Sequence, residues 1–280
     1  RESMHQAAEA ERILHTQCEN LDWEVSNLRV LRFLAGSLVG ELKVHAERVL
    51  RELRETEEYG ERYAQINMLA AVGYLPPLMA DDPGEALRIL ESAFSTITHD
   101  GFHMQQMYYL TGMVQIDLYA REGAPYTRLM ADWPQLSKSL LLRIPTVNYA
   151  MRHLRARAGI AQARTDRDER ELLLRDAADS GAKLASVRVP YAVGWGHAAR
   201  AGVDASRGDR ERAIQRLEQA EACFYEGEMT LYAAATRYQL GRLLGSSRGR
   251  ELRAHAQEWF EAQGVTKPAD YINMLLPGFD

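Results

Sequence analysis

At 280 residues and 46% hydrophobic content, the chain has ample material for a core: about two globular domains, or one continuous repeat array. Its net charge of −5 is spread along the sequence, which argues against a broad attraction to nucleic acid. No stretch approaches the roughly 20 apolar residues of a membrane-crossing helix.

Read in chain order, helical periodicity runs nearly end to end and alternating strand patterns are missing. The spacing predicts helices at 3–18, 20–39, 41–58, 61–80, 83–98, 102–121, 125–141, 145–164, 168–187, 190–207, 210–226, 229–244, 249–263 and 268–275. Pro83, Pro125, Pro145, Pro190 and Pro268 fall where helices open, the position at which a missing N–H costs least. Asp82 with Glu85, and Asp166 with Glu169, have the spacing of N-cap pairs. Gly245 and Gly264 sit where left-handed C-terminal residues are wanted. Pro76-Pro77 should kink or end the helix after Leu75. The middle, 122–165, is the least regular: Trp133, Pro134 and the run Leu140-Leu141-Leu142 suggest a longer or displaced hairpin.

Two phrases match across this pattern, DDPGEALRILESA at 81–93 and GDRERAIQRLEQA at 208–220. Ala86, Leu90 and Ala93 correspond to Ala213, Leu217 and Ala220, a spacing of four and then three that keeps them on one helical stripe. Alanines flanking a leucine let a second helix approach closely, as in the hairpins of tetratricopeptide repeats. The expected fold is therefore all-α, a right-handed superhelix (α-solenoid) of tetratricopeptide-like helical hairpins, one repeat domain over 1–280.

Chemistry-bearing patterns are sparse. Gly194-Trp195-Gly196 lacks the third glycine, the preceding strand and the downstream acid of a dinucleotide loop, and reads as a close helix contact. His99, Asp100 and His103 read as a turn with a capping aspartate rather than a metal site, and no metal or cofactor is expected. Ser246-Ser247 beside Arg248 and Arg250 reads as a helix-opening turn. Arg152, Arg155, Arg157 and Arg164 are the one basic concentration, but Arg152 and Arg155 share one face and Arg157 and Arg164 another. Split charge predicts solvation and inter-helix ion pairs rather than a nucleic-acid stripe. Only four of the 34 basic residues are lysine, which without clustering reads as genome composition. Cys18 and Cys223 are too far apart in sequence for a redox or metal motif, and with no leader peptide the expected compartment is the cytoplasm.

Four segments carry more than a generic repeat: 80–94, 101–123, 132–163 and 231–280, the last closing on Pro277-Gly278-Phe279. Together they resemble the C-terminal helical region of large bacterial serine/threonine protein kinases, in which a kinase domain and a signal-transduction ATPase precede tetratricopeptide-like helices. The resemblance spans nearly the whole chain. It implies that the chain, which begins at Arg1 inside a helix, is part of something longer with a role in phosphorylation-linked signalling. The family's kinase and nucleotide-binding residues do not carry over, because no Gly-rich phosphate loop, His-Arg-Asp or Asp-Phe-Gly occurs here. The expected role is thus a non-catalytic sensor or scaffold arm binding a protein or peptide, the upstream kinase and ATPase domains included. The alternative is an inducer-binding arm of an ATPase-type transcription regulator; an autonomous enzyme is the third and weakest reading. First helices of such hairpins face the concave groove, which nominates Tyr74, Tyr109, Arg152, Arg155, Trp195 and His197 as partner-binding residues suited to an acidic or amphipathic peptide.

Overall fold

The structure, a computed structural model, describes residues 2–17, 21–58, 60, 62–95 and 101–279. Among them no strand occurs, and the helices are α1 (Glu2–Gln17), α2 (Asp22–Val39), α3 (Leu42–Glu58), α4 (Arg62–Met68), α5 (Leu75–Met79), α6 (Pro83–Phe94), α7 (Met104–Ala120), α8 (Pro125–Lys138), α9 (Pro145–Gln162), α10 (Arg170–Ala185), α11 (Pro190–Ser206), α12 (Arg210–Glu226), α13 (Thr230–Leu244), α14 (Ser247–Ala262) and α15 (Pro268–Leu275). Each of the five prolines expected to open a helix stands at the first helical position. Asp82 accepts from the Glu85 amide at 2.9 Å, and Ser246 from the Gly249 amide at 3.2 Å. Asp166 accepts from the Glu169 amide, but that bond closes a turn, and α10 begins only at Arg170.

The chain divides into two compact units, Arg1–Met113 and Val114–Asp280. In the first, the expected helix at 61–80 is three pieces: α4, a single π-helical segment (Leu69–Gly73), and α5. Pro76 and Pro77 have no N–H to give and their rings crowd the carbonyls four residues back, so the preceding turn widens rather than the chain breaking. The core joins Phe33, Met68, Tyr74, Leu78 and Leu90, all fully or almost fully buried. Arg29 and Arg32 of α2 meet Glu11 of α1 and Glu52 of α3, with Arg29–Glu11 at 3.0 Å and Arg32–Glu52 at 2.8 Å. Burial raises the Glu52 pKa, and the two arginines oppose the shift.

In the second unit each helix from α9 to α14 packs on its successor, and α9 also touches α11. Ala213, Leu217 and Ala220 are completely buried, as are Ala86 and Leu90 of the matching phrase in the first unit. Leu217→Ala should therefore cost about 2–5 kcal/mol, and Ala213→Leu about 1–3 kcal/mol by overpacking. Chemical denaturation reads both; unchanged midpoints would break the equivalence of the two phrases. The irregular middle resolves into α8, with Pro134 inside it, and a 3-10 turn (Leu141–Arg143) that leaves Leu140 exposed.

Candidate functional site

Helices α9, α11 and α13 of the second unit are buried around most of their circumference, whereas α10, α12 and α14 bury a single stripe. The former are an inner layer and the latter an outer one. Small residues bring the layers together. A Cβ at Gly196 would lie 2.5 Å from the Ala185 nitrogen and 2.6 Å from the Gly181 carbonyl oxygen. Gly241 and Gly249 repeat the arrangement between α13 and α14, each 2.5–2.7 Å from the other's carbonyl oxygen by the same measure. Gly194, on the same side as Phe224, lets α12 approach α11. The glycines around Trp195 thus serve helix contact, as the sequence suggested.

The inner layer carries a cover made by the chain itself. α15 and residues 276–279 lie on it, with Tyr271, Ile272, Met274, Leu275, Leu276 and Phe279 all buried. Arg157 of α9 donates to the Met274 carbonyl at 3.0 Å and to Gln115 Oε1 at 3.2 Å. Gln239 of α13 donates to the Leu276 carbonyl at 2.9 Å and to Asn273 Oδ1 at 3.1 Å. Gly202 of α11 backs onto the Pro277 carbonyl, and Gly278, at φ 102°, backs onto the Gly202 carbonyl and Ile160. These carbonyls belong to the end of α15, where the helix leaves acceptors unsatisfied, and side chains of the inner layer satisfy them.

The six nominated residues separate. Tyr74 and Tyr109 belong to the first unit; the other four lie on α9 and α11 of the second. Two are corrected as surface anchors. Tyr74 is 2% exposed, against the face of Gly112, and Trp195 is 5% exposed, stacked on His153 with ring centroids 4.4 Å apart and edge-on to Tyr191 and Tyr232. Large aromatic rings on inner helices fill the space between hairpins rather than the groove. Tyr109 is half-buried and stacks on Phe94. Arg155 is committed internally: it pairs with Asp176 of α10 and its guanidinium lies 4.7 Å from the Trp133 ring centre. Arg152 is half-buried and donates to Asn148 Oδ1 at 2.7 Å. His197 is half-buried, and burial together with Arg200 and Arg216 lowers its pKa. Arg157, expected to be solvated, is 5% exposed; the carbonyl at the end of α15 draws it inward. His99 and Asp100 lie outside the described residues, as does Cys18. Among the described residues no group of three or more His, Cys, Asp or Glu is placed to hold a metal ion, and no helix is long and apolar enough to cross a membrane.

His153 is the most perturbed of these groups. Burial, with Arg157 one turn away, holds its pKa well below the ordinary 6.5. Below that value the unfolded chain takes up a proton that the folded ring refuses, so stability present at neutral pH falls as pH drops through 6.5. For His153 alone the slope approaches about 1.4 kcal/mol per pH unit. Asp204, whose pKa burial raises, acts in the opposite sense at lower pH, because the folded state accepts its proton first. Urea midpoints at neutral and mildly acid pH should converge for His153→Gln relative to wild type; an unchanged difference would place the dependence elsewhere.

A cleft of about 190 Å³ opens where the C-terminal ends of α7, α9 and α11 meet residues 277–278. Arg170 spans it, donating to the Ala163 and Ser206 carbonyls, and Arg164 donates to the Arg121 carbonyl. The guanidinium groups complement the negative ends of these helices. No protein-family model, curated protein or solved structure matches the chain.

Proposed function

We propose that the chain is a non-catalytic sensor or scaffold arm of a bacterial serine/threonine kinase–ATPase signalling protein, binding protein or peptide segments on its helical hairpins. In this reading the hairpins of the second unit are turns of a right-handed, tetratricopeptide-like superhelix. The observation that supports it is the covered inner layer: α9, α11 and α13 hold a helical segment by donors from Arg157 and Gln239 and by glycine contacts. That is how a groove reads a peptide, and the family resemblance supplies the signalling context.

The test is capture of the parent's kinase and ATPase domains by this chain. Arg152→Glu and Tyr109→Ala should each reduce recovery while leaving helix content unchanged; equal recovery with wild type and both variants removes the support. The chain alone should give no micromolar magnesium-ATP binding by calorimetry, because it has no phosphate loop and no catalytic aspartate in context. Stoichiometric binding would overturn the non-catalytic assignment. The cleft at Arg164 and Arg170 favours a second reading, the inducer-binding arm of a transcription regulator. A DNA-binding helix-turn-helix module in the parent would decide for it, and kinase motifs upstream would decide against it.

A further inference from the structure

We infer that the cleft bounded by Arg164, Arg170 and Asn273 binds a small molecule through an oxyanion, a carboxylate or a phosphate monoester, and that the bound group links α10 to α15. The inference rests on the ligand-binding half of the second reading above and not on its transcriptional half.

The cleft lies wholly within the second unit. Its volume of about 190 Å³ falls below the roughly 300–1,000 Å³ of pockets for drug-sized ligands, so it suits a smaller one.

What the cleft offers is donors. Asn273 is 9% exposed; its Oδ1 accepts from Gln239 at 3.1 Å, and its amide nitrogen has no partner among the described residues. Asn273 lines the cleft, where those N–H bonds are open to a ligand. A nine-tenths buried amide with a bare donor costs stability until an acceptor meets it. Arg170 is the second donor. It is half-buried, gives one N–H to the Ala163 carbonyl at 2.8 Å and another to the Ser206 carbonyl, and enters no ion pair among the described residues. A guanidinium carries five N–H donors, so most of its fork stays open and its charge is unanswered. Arg164, bonded to the Arg121 carbonyl at 3.2 Å, adds a second guanidinium at the exposed side.

Two features that would repel an anion are already offset. The helix-end carbonyls of Arg121, Ala163 and Ser206 are the ones these guanidinium groups take. Of the acids lining the cleft, Asp117 is paired with Arg128 at 2.7 Å, and Glu122 stands exposed at the rim. Planar forks beside an amide donor match the paired oxygens of a carboxylate or phosphate. Because Arg170 opens α10 and Asn273 belongs to α15, an oxyanion reaching both ties the C-terminal helix to the outer layer.

Calorimetric titration of the full chain with sodium phosphate and with sodium succinate, at fixed ionic strength, tests this. At least one should bind one-to-one with a dissociation constant of about 1 mM or tighter, and the one that binds names the oxyanion. Binding of neither overturns the cleft as a site. Asn273→Asp keeps the oxygen that Gln239 meets and puts negative charge in place of the bare amide, so affinity should fall at least about tenfold. Glu122→Gln removes repulsion at an exposed position and should tighten binding about twofold to fivefold. Binding that neither variant changes belongs to arginines elsewhere and overturns the site. If Asn273→Asp does not fold, Glu122→Gln decides, and unchanged affinity overturns it. Saturating ligand should slow amide exchange at 271–276 at least about threefold more than in α12; equal slowing overturns the link between α10 and α15. A parent without a helix-turn-helix module would remove the transcriptional reading and leave these binding results standing.

Discussion

Gly196→Ala should be among the most damaging single-methyl changes in the second unit, lowering stability by about 3 kcal/mol or more. The neighbours of the added carbon are the Ala185 nitrogen and the Gly181 oxygen, both main-chain atoms of α10. A side chain can rotate out of the way; a helix backbone moves only by separating α10 from α11 along their length. The loss should appear as a lower urea midpoint with helix content kept until the transition. Gly84→Ala in α6 is the contrasting change, because its nearest neighbour would be Asp82 Oδ1 at an ordinary 3.5 Å. There, removing a helical glycine should gain about 0.5–1 kcal/mol. Equal effects at the two positions would mean that α10 and α11 do not cross at these glycines.

Arg157→Ala should cost about 2–4 kcal/mol, since it strands the buried Met274 carbonyl and leaves a cavity. The guanidinium bonds to the Met274 carbonyl and to Gln115, neither of them a carboxylate, and its Nε makes no hydrogen bond. What its removal releases is therefore the end of α15 and not an ion pair. Hydrogen exchange reads the difference. In the variant, amides of 271–276 should lose protection by at least tenfold more than those of α11 (Pro190–Ser206). Uniform loss across the second unit would show that Arg157 supports the core at large.

Much of the helical order was legible because its signals are local. Proline at a first turn and an aspartate three residues before a free amide act within one turn, so Pro83 with Asp82 and Pro145 and Pro190 alone set their helices correctly. The alanine–leucine stripes were legible for the same reason. The covered inner layer was not, because Arg157 and Met274 are 117 residues apart and no period links them. An arginine at helical spacing looks the same whether it faces water or a buried carbonyl. Tyr74 and Trp195 were misplaced because an aromatic on an inner helix serves a groove or an inter-helix gap equally well in sequence; only the neighbouring rings and Gly112 decide. One signal was present. From Tyr271 to Leu276 only Asn273 is polar, so the second half of this helix and the residue after it must be covered.

The quartet of Glu11, Arg29, Arg32 and Glu52 has a further consequence for the first unit. Two positive and two negative groups, each on the order of a tenth exposed, cancel inside a region where dissolved ions screen weakly. The quartet should therefore weaken far less in molar sodium chloride than a pair such as Arg88–Glu85 of the same unit, which stands open to solvent. The quartet also works as a key. Apolar side chains on α1 and α2 would accept several alignments, but sliding α1 by one residue carries Glu11 to another face and leaves two guanidinium groups to share Glu52. Charge here contributes selectivity of alignment where greasy contact alone would leave the helices free to slip.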